Sequence, residues 1–258
     1  MTGQLDRLVT VAWMAFRGSV QGLRAIGLAA FALMPTLIVA GIASAHPSAD
    51  TLAASAPLLF ELLTLPIVAM VIILVLSVAQ FRNEIDAEIL VYLSARSVGR
   101  PTLVVGKYLG ATAAALVFVL PASLLPLAVA TLAGGTAYSA SVPAAVAVAA
   151  VLATVAYGGF FLFLGLATRS ALLVGLLFGF LWEELLPLLP GDVPRLTVIF
   201  YLRSYLSGAV SSGPLSGYGG AVPLTLALSV LVGIGLVFVV VGSAVLRYLE
   251  TAPEKESA

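Results

Sequence analysis

Long apolar stretches alternate with short polar segments along this 258-residue chain. Six of the stretches are about as long as the roughly 20 residues with which an α-helix crosses a hydrocarbon core. They occupy residues 25–45, 57–80, 102–132, 143–168, 171–189 and 222–246. Only 9% of the residues are charged and 61% are hydrophobic, whereas soluble domains carry about 25% charged residues. The pattern predicts an all-α integral membrane protein whose residues 25–246 form six transmembrane spans.

The first 24 residues precede these spans and are amphipathic. Read as a helix from residue 5, they place Trp13 on an apolar face and Arg7, Arg17 and Arg24 on the opposite face. Such a helix is typical of a segment that lies along the cytoplasmic leaflet. A first span that begins early is the alternative, but it would place Arg17 and Arg24 in hydrocarbon at a cost in free energy. We therefore predict an interfacial helix in residues 1–24.

The segment of residues 81–101, named here the polar island, is the long polar interruption between the second and third spans. Read as a helix, it carries Ile85, Ile89 and Tyr92 on one side and Glu84 and Glu88 on another, so it is amphipathic. Its apolar side predicts a protein partner. Near its end Gly99 and Pro101 favour a break followed by a new helix, because proline fits the first helical turn.

Two further segments lie outside the predicted spans. Residues 190–221 contain an apolar and aromatic run at 196–206, between Pro194 and a run of residues rich in Gly and Ser at 207–220. This pattern predicts a short external re-entrant helix rather than a solvated loop. Residues 247–258 are predicted to form a polar tail.

The distribution of positive charge predicts the orientation. With the N-terminus inside, ten of the 12 Lys and Arg residues are cytoplasmic and two, Arg195 and Arg203, are external. Positive charge collects on the cytoplasmic side of membrane proteins. We therefore expect a multi-pass protein of the plasma or inner membrane, with both termini and the polar island in the cytoplasm.

Small residues recur at a spacing that favours close helix packing. The pairs Gly106-x3-Gly110 and Gly175-x3-Gly179 would lie on one face of their helices, where the absence of side chains lets a second helix approach. Either contact within one chain or a seam between two subunits would use such a face.

The polar island and the residues after it contain a recognisable order of side chains. An acidic residue, a short helix, an Arg sixteen residues further on and a Gly-Lys pair occur as Glu84, Arg100, Gly106 and Lys107. This order, between the second and third of six spans, resembles the ABC transporter type-2 permease family. The chain differs from the residues usual in that family at Glu88-Ile89 and at Ser97.

The resemblance implies the permease subunit of an ATP-binding-cassette exporter. Its polar island would be a coupling helix that docks on a separate cytoplasmic ATPase subunit. Two permease subunits, the same or related chains, would pair, and two ATPase copies would bind ATP and Mg²⁺ below them. The coupling residues implied by the resemblance are Glu84, Asp86, Glu88, Tyr92, Arg96, Arg100 and Lys107.

Several kinds of chemistry lack their residues. The chain has no cysteine and a single histidine, His46, in a predicted external loop, whereas covalent or metal-assisted hydrolysis within the membrane needs a histidine base or histidine metal ligands. The Gly-x-Gly-Asp motif of intramembrane aspartyl proteases does not occur either. Tyr108 follows Gly106-Lys107 where a phosphate-binding loop requires Ser or Thr. The net charge is zero and no basic tract indicates nucleic acid. We expect no enzymatic activity, no metal site and no cofactor bound by this chain itself.

Three acidic residues stand inside the apolar stretches. Glu61 lies near the outer end of the second span, and Glu183 and Glu184 lie about two-thirds of the way across the fifth. A charge at mid-bilayer costs about 2.5–3.5 kcal/mol, so these side chains should face protein, water or the interface. They would either line a substrate path or gate, or lie at the interface paired with Arg195 or Arg203.

Two other functions fit the same sequence. An ion-gradient-driven secondary transporter would use these acids as proton carriers. A non-transporting membrane anchor for an ATPase would use the same docking loop as a permease.

Overall fold

A computed structural model describes residues 2–86, 99–134, 138–211, 213–218 and 222–251. These residues form helices and connections without a strand. Six of the described helices are long and apolar enough to cross a membrane, which confirms the predicted number. In chain order, spans 1 to 6 are Leu23–Ser44, Ala49–Arg82, Arg100–Gly134, Ser141–Ala167, Ala171–Leu188 and Leu224–Leu246.

The N-terminal helix is shorter than predicted. It comprises Thr2–Ser19 and ends before Gly22, whose φ of 83° breaks the helix. This backbone conformation favours glycine, because other side chains are strained there. Arg24 therefore belongs to span 1 and not to the interfacial helix that was expected to extend to residue 24.

The N-terminal helix packs along the beginning of span 3. A Cβ atom at Gly106 would lie 2.7 Å from Val11 Cγ1, and one at Gly110 would overlap the carbonyl oxygen of Ala12. The first Gly-x3-Gly pair is thus used for a contact within the chain. The second pair is used in the same way, because Cβ atoms at its glycines would overlap side chains of span 2.

Span 1 bends at Leu33, between the helices Leu23–Ala32 and Met34–Ser44. Span 2 begins eight residues earlier than predicted, because residues 49–56, expected in an external loop, are helical. The Ser48 hydroxyl starts this helix by accepting a hydrogen bond of 3.3 Å from the backbone N–H of Thr51. Such a cap satisfies an N–H group that would otherwise have no partner.

Span 2 consists of three parts. An α-helix, Ala49–Leu59, leads into a π-helical segment, Phe60–Ala69, and then into a second α-helix, Met70–Asp86. In a π-helix the backbone bonds reach one residue further than in an α-helix, and such segments often lie at functional sites. The π-helical segment carries Glu61 in its first turn.

The beginning of span 2 is stabilised by a residue between spans 3 and 4. Pro57 lies inside the helix and has no N–H, so the carbonyl of Ala53 loses its normal helical partner. The hydroxyl of Tyr138 donates a hydrogen bond of 2.8 Å to that carbonyl. Burial raises the pKa of the Tyr138 phenol, so the hydroxyl keeps its proton and remains a donor at neutral pH.

Spans 3 and 4 are single helices, Arg100–Gly134 and Ser141–Ala167, whereas span 5 is irregular. It begins as the α-helix Ala171–Leu177, continues as the π-helical segment Phe178–Glu183 and ends as the 3₁₀ turn Leu186–Leu188.

Between spans 5 and 6 lie a 3₁₀ turn, Val193–Leu196, an α-helix, Val198–Ala209, named here the outer helix, and a second 3₁₀ turn, Pro214–Ser216. A helix was predicted in this segment. The last helix, Leu224–Thr251, continues past the predicted end of span 6 into the segment that was expected to be a polar tail.

Spans 2 and 4 form the centre of the described structure. Most of their apolar side chains are buried, while large parts of spans 1, 5 and 6 are exposed on the surface of the chain. Spans 4 and 6 cross closely, because a Cβ atom at Gly159 would overlap the backbone of Gly235. Tyr157 and Phe161 on span 4 stack with 5.8 Å between their ring centroids inside this core.

We predict that Gly110→Ala destabilises the protein, because the added methyl group meets backbone of the N-terminal helix that cannot move aside like a flexible side chain. Overpacking of this kind costs about 1–3 kcal/mol. The matched control is Gly27→Ala in span 1, where a Cβ atom meets nothing within 4 Å. The measurement is the thermal unfolding midpoint of the detergent-solubilised protein. Equal midpoints for the two variants would contradict the proposed close contact.

Candidate functional site

The described structure contains part of the predicted coupling segment. Glu88, Tyr92 and Arg96 lie outside the described residues, and so do the side chains of Glu84 and Asp86. The two remaining predicted coupling residues, Arg100 and Lys107, are described. Arg100 is exposed at the beginning of span 3, and Lys107 lies two turns further along that span. The polar island thus lies between the end of span 2 and the beginning of span 3.

Lys107 is buried between these two spans. From its position near the end of a span, this lysine is expected to extend its side chain to the surface. That expectation is wrong, since only 6% of the residue is exposed. The ammonium donates a hydrogen bond of 2.5 Å to the carbonyl oxygen of Gln80 and lies 4.3 Å from the centroid of the Phe81 ring. A carbonyl oxygen and an aromatic face both attract a cation. They provide this lysine with partners inside the protein.

The N-terminal helix is connected to the same place. The Gln80 amide donates a hydrogen bond of 2.8 Å to the hydroxyl of Ser19, which itself donates to the carbonyl of Ala15. Lys107, Gln80 and Ser19, named here the inner linkage, are all buried. They connect span 3, span 2 and the N-terminal helix at the base of the polar island. Arg24 adds a further contact by donating to the carbonyl of Val75 in span 2.

A second polar region lies at the opposite ends of the spans, where Glu183 caps the outer helix. The Glu183 side chain is almost fully buried, with 1% of the residue exposed. Its Oε1 accepts a hydrogen bond of 3.1 Å from the backbone N–H of Val198, and its Oε2 accepts one of 2.8 Å from that of Ile199. Both N–H groups belong to the first turn of a helix and have no partner within it. A carboxylate at this position also interacts favourably with the helix dipole.

Two more contacts support this cap, one between span 4 and Glu183 and the other between span 5 and the 3₁₀ turn before the outer helix. Tyr157 of span 4 donates its hydroxyl hydrogen to Oε2 of Glu183 at 2.9 Å. Trp182 of span 5 donates its indole N–H to the carbonyl of Leu196 at 3.1 Å. Glu183 thus accepts three hydrogen bonds and connects span 4, span 5 and the outer helix.

Glu61 and Arg203 form an ion pair next to this cap. Arg203 Nε lies 3.5 Å from Glu61 Oε1, and both side chains are largely shielded from solvent. The pair connects the π-helical segment of span 2 to the outer helix. It agrees with the interfacial interpretation, in which an external arginine neutralises an acid of the spans. Arg195, the other arginine that the sequence predicts to be external, pairs with Asp192 at 3.0 Å.

Glu184 and Tyr218 lie near Arg203 as well. Glu184 is half-buried, and its Oε1 has no hydrogen-bond partner among the described residues. Burial raises the pKa of the Tyr218 phenol, and the nearby guanidinium of Arg203 opposes that rise. We use the name outer polar cluster for Glu61, Glu183, Glu184 and Arg203. The structure therefore brings the three predicted acids together around the outer helix.

Sequence reasoning missed the roles of several residues in these two regions. Thr197, whose hydroxyl accepts a hydrogen bond from the N–H of Phe200, is a helix-capping residue directly before an apolar run, and this signal could have located the helix start. Gln80 is a polar residue at the end of an apolar stretch, which is a weaker signal. Nothing in the sequence indicates Tyr157 as a partner of an acid 26 residues away.

The arrangement provides attachment between helices. Among the described residues, no three His, Cys, Asp or Glu side chains are grouped so that they could hold a metal ion. No protein-family model and no curated protein matches this chain. The likeness to the type-2 permeases therefore depends on the order of residues in and after the polar island.

We predict that Glu183→Gln destabilises the protein clearly more than Glu184→Gln. Each oxygen of Glu183 accepts a hydrogen bond from a backbone N–H group. In the glutamine variant an NH₂ group would replace one of these oxygens, and the N–H group facing it would lose its acceptor. A buried unsatisfied donor costs about 1–3 kcal/mol. Glu184 Oε1 has no described partner to lose. The free energy of unfolding in detergent measures both variants, and a loss at Glu184→Gln equal to that at Glu183→Gln would refute the capping role.

Proposed function

We propose that this chain is the permease subunit of an ATP-binding-cassette exporter. The observation that carries the proposal is the inner linkage at the base of the polar island. Lys107 and Gln80 hold spans 2 and 3 together, and Ser19 adds the N-terminal helix. The polar island would be the coupling helix, and a force on it would reach three helices at once.

The ATPase partner would supply the energy. Two ATPase copies would bind ATP and Mg²⁺ in the cytoplasm below two permease subunits, which are the same or related chains. Closure of the ATPase pair would displace the polar island, and spans 2 and 3 would transmit the displacement toward a substrate path between subunits. Such coupling requires that the helices have two discrete arrangements. The polar island and the substrate path would each have to shift the equilibrium between these arrangements.

The geometry of the outer polar cluster favours this proposal over a secondary transporter. A proton carrier has to exchange its proton with water and with the substrate path, whereas Glu183 is buried and its oxygens accept three hydrogen bonds. Glu61 is paired with Arg203. These acids hold the outer helix in place, so the ion-gradient alternative and the interpretation of Glu61, Glu183 and Glu184 as a substrate gate are less well supported.

The proposal includes an orientation. The N-terminal helix would lie along the cytoplasmic leaflet, both termini would be cytoplasmic, and the outer helix would be an external re-entrant helix of a plasma or inner membrane protein. The excess of positive charge on one side supports this orientation.

We predict opposite labelling of two single cysteines, which can be introduced directly because the natural chain has none. Ser139→Cys, between spans 3 and 4, should react with a membrane-impermeant maleimide in intact cells. Ser170→Cys, between spans 4 and 5, should react only after permeabilisation. Both serines are exposed. Labelling of Ser170→Cys but not Ser139→Cys in intact cells would reverse the orientation.

We predict that Glu84→Lys reduces the amount of ATPase that copurifies with the protein from its native membrane and leaves membrane insertion unchanged. The reason is that charge reversal would place a cation at the docking helix. Bound proteins are identified by mass spectrometry. The control is Asp192→Lys, a charge reversal at an exposed acid on the proposed external side.

Two results would count against the permease proposal. Absence of any ATPase from wild-type preparations would overturn it, and equal recovery with wild type and Glu84→Lys would remove Glu84 from the docking site. Recovery of an ATPase without ATP-dependent substrate movement in reconstituted vesicles would favour the non-transporting anchor.

A further inference from the structure

A cavity of about 370 Å³ lies between three segments on the side of the molecule opposite the polar island. Its walls come from the beginning of span 2, from the connection between spans 3 and 4 with the first turn of span 4, and from the residues that follow the outer helix. The lining residues important here are Asp50, Ala54, Pro57, Tyr138, Val142 and Leu215. Its volume falls in the range of about 300–1,000 Å³ typical of small-molecule sites.

Hydrogen bonds between separate segments hold the walls together. The Tyr138 hydroxyl bonds to the Ala53 carbonyl, which joins two walls. The Ser207 hydroxyl donates to the carbonyl of Ser216 at 3.1 Å, which attaches the 3₁₀ turn containing Leu215 to the outer helix. A cavity built in this way exists before a ligand arrives, and preorganisation reduces the entropy cost of binding.

The chemistry of the lining selects a class of ligand. Most of the wall is apolar, with Ala54, Pro57, Val142 and Leu215 among its residues. Asp50 is the charged residue among the described lining, and no described lining residue is a cation. Asp50 lies in the first turn of its helix, where the helix dipole stabilises a negative charge. The Tyr138 hydroxyl is already used as a donor.

We propose that this cavity binds a small amphipathic cation, with its apolar body between Ala54 and Val142 and its ammonium group paired with Asp50. An anion would meet the carboxylate unfavourably, and a neutral apolar molecule would leave the carboxylate without a cation. The site is separate from the inner linkage and the polar island. It therefore goes beyond the proposed function and is independent of whether an ATPase binds.

The test is equilibrium dialysis of 4-phenylbutylamine against the full-length protein in phosphatidylcholine nanodiscs, corrected for uptake by empty nanodiscs. The matched neutral probe is 4-phenylbutan-1-ol, which has the same apolar body. We expect saturable binding of the amine at one site per chain. The alcohol should bind about two- to fivefold more weakly, which corresponds to a partly exposed ion pair.

Two variants test the location. Asp50→Asn should weaken binding of the amine to the level of the alcohol and leave the alcohol unchanged, whereas Ala54→Trp fills the cavity and should abolish binding of both probes. Asp192→Asn, at an exposed acid outside the lining, is the matched control and should bind both probes like the wild type. The thermal midpoint of each variant shows whether it is folded. If Ala54→Trp is not folded, the comparison of Asp50→Asn with the wild type still decides whether the amine binds at this cavity.

Three outcomes would overturn the proposal. These are uptake no greater than that of empty nanodiscs, equal affinity for amine and alcohol, and amine binding that Asp50→Asn leaves unchanged. Since none of these measurements involves an ATPase, failure of this site and failure of the permease proposal would be distinguished.

Discussion

The hydrocarbon region of a membrane offers no hydrogen bonds, so every backbone polar group of a spanning segment has to find its partner within the protein. Regular helices satisfy this requirement without further help. The departures from regular helix in the described residues include Pro57, two π-helical segments and the beginning of the outer helix. At Pro57 and at the outer helix a side chain from another segment supplies the missing partner, and these contacts determine how the spans fit together.

Glu183 shows how much one such contact determines. Its carboxylate accepts hydrogen bonds from two N–H groups in the first turn of the outer helix, which have no carbonyl partner within that helix. The Tyr157 hydroxyl of span 4 donates a hydrogen bond to the same carboxylate. Lys107 has a comparable role at the opposite end, with an ammonium group and a carbonyl oxygen. In both places a side chain that would be costly alone in an apolar environment is fully engaged. Charged residues within spans therefore act here as connectors between helices.

The sequence predicts the number of spans and the presence of a helix between spans 5 and 6, because both depend on local hydropathy. It does not predict partners that are distant in sequence. Lys107 was expected at the surface, since nothing near it in sequence reveals the carbonyl of Gln80 as an acceptor. The helix at residues 49–56 was not predicted, because the span was placed by hydropathy alone and the helix-capping residue Ser48 is polar. For the acids, hydropathy indicates that they need shielding, but only the fold identifies Arg203 and the N–H groups of Val198 and Ile199 as the groups that provide it.

The π-helical segment in span 2 also sets the rotational phase between the two ends of that span. Each backbone bond in Phe60–Ala69 encloses one more residue than in an α-helix, so the directions in which later side chains point depend on the length of the segment. Glu61, at its beginning, faces Arg203, while the Phe81 ring, beyond its end, faces Lys107. Conversion of the segment to α-helix would rotate one end of span 2 relative to the other, and would so change the direction of Glu61 relative to that of Phe81.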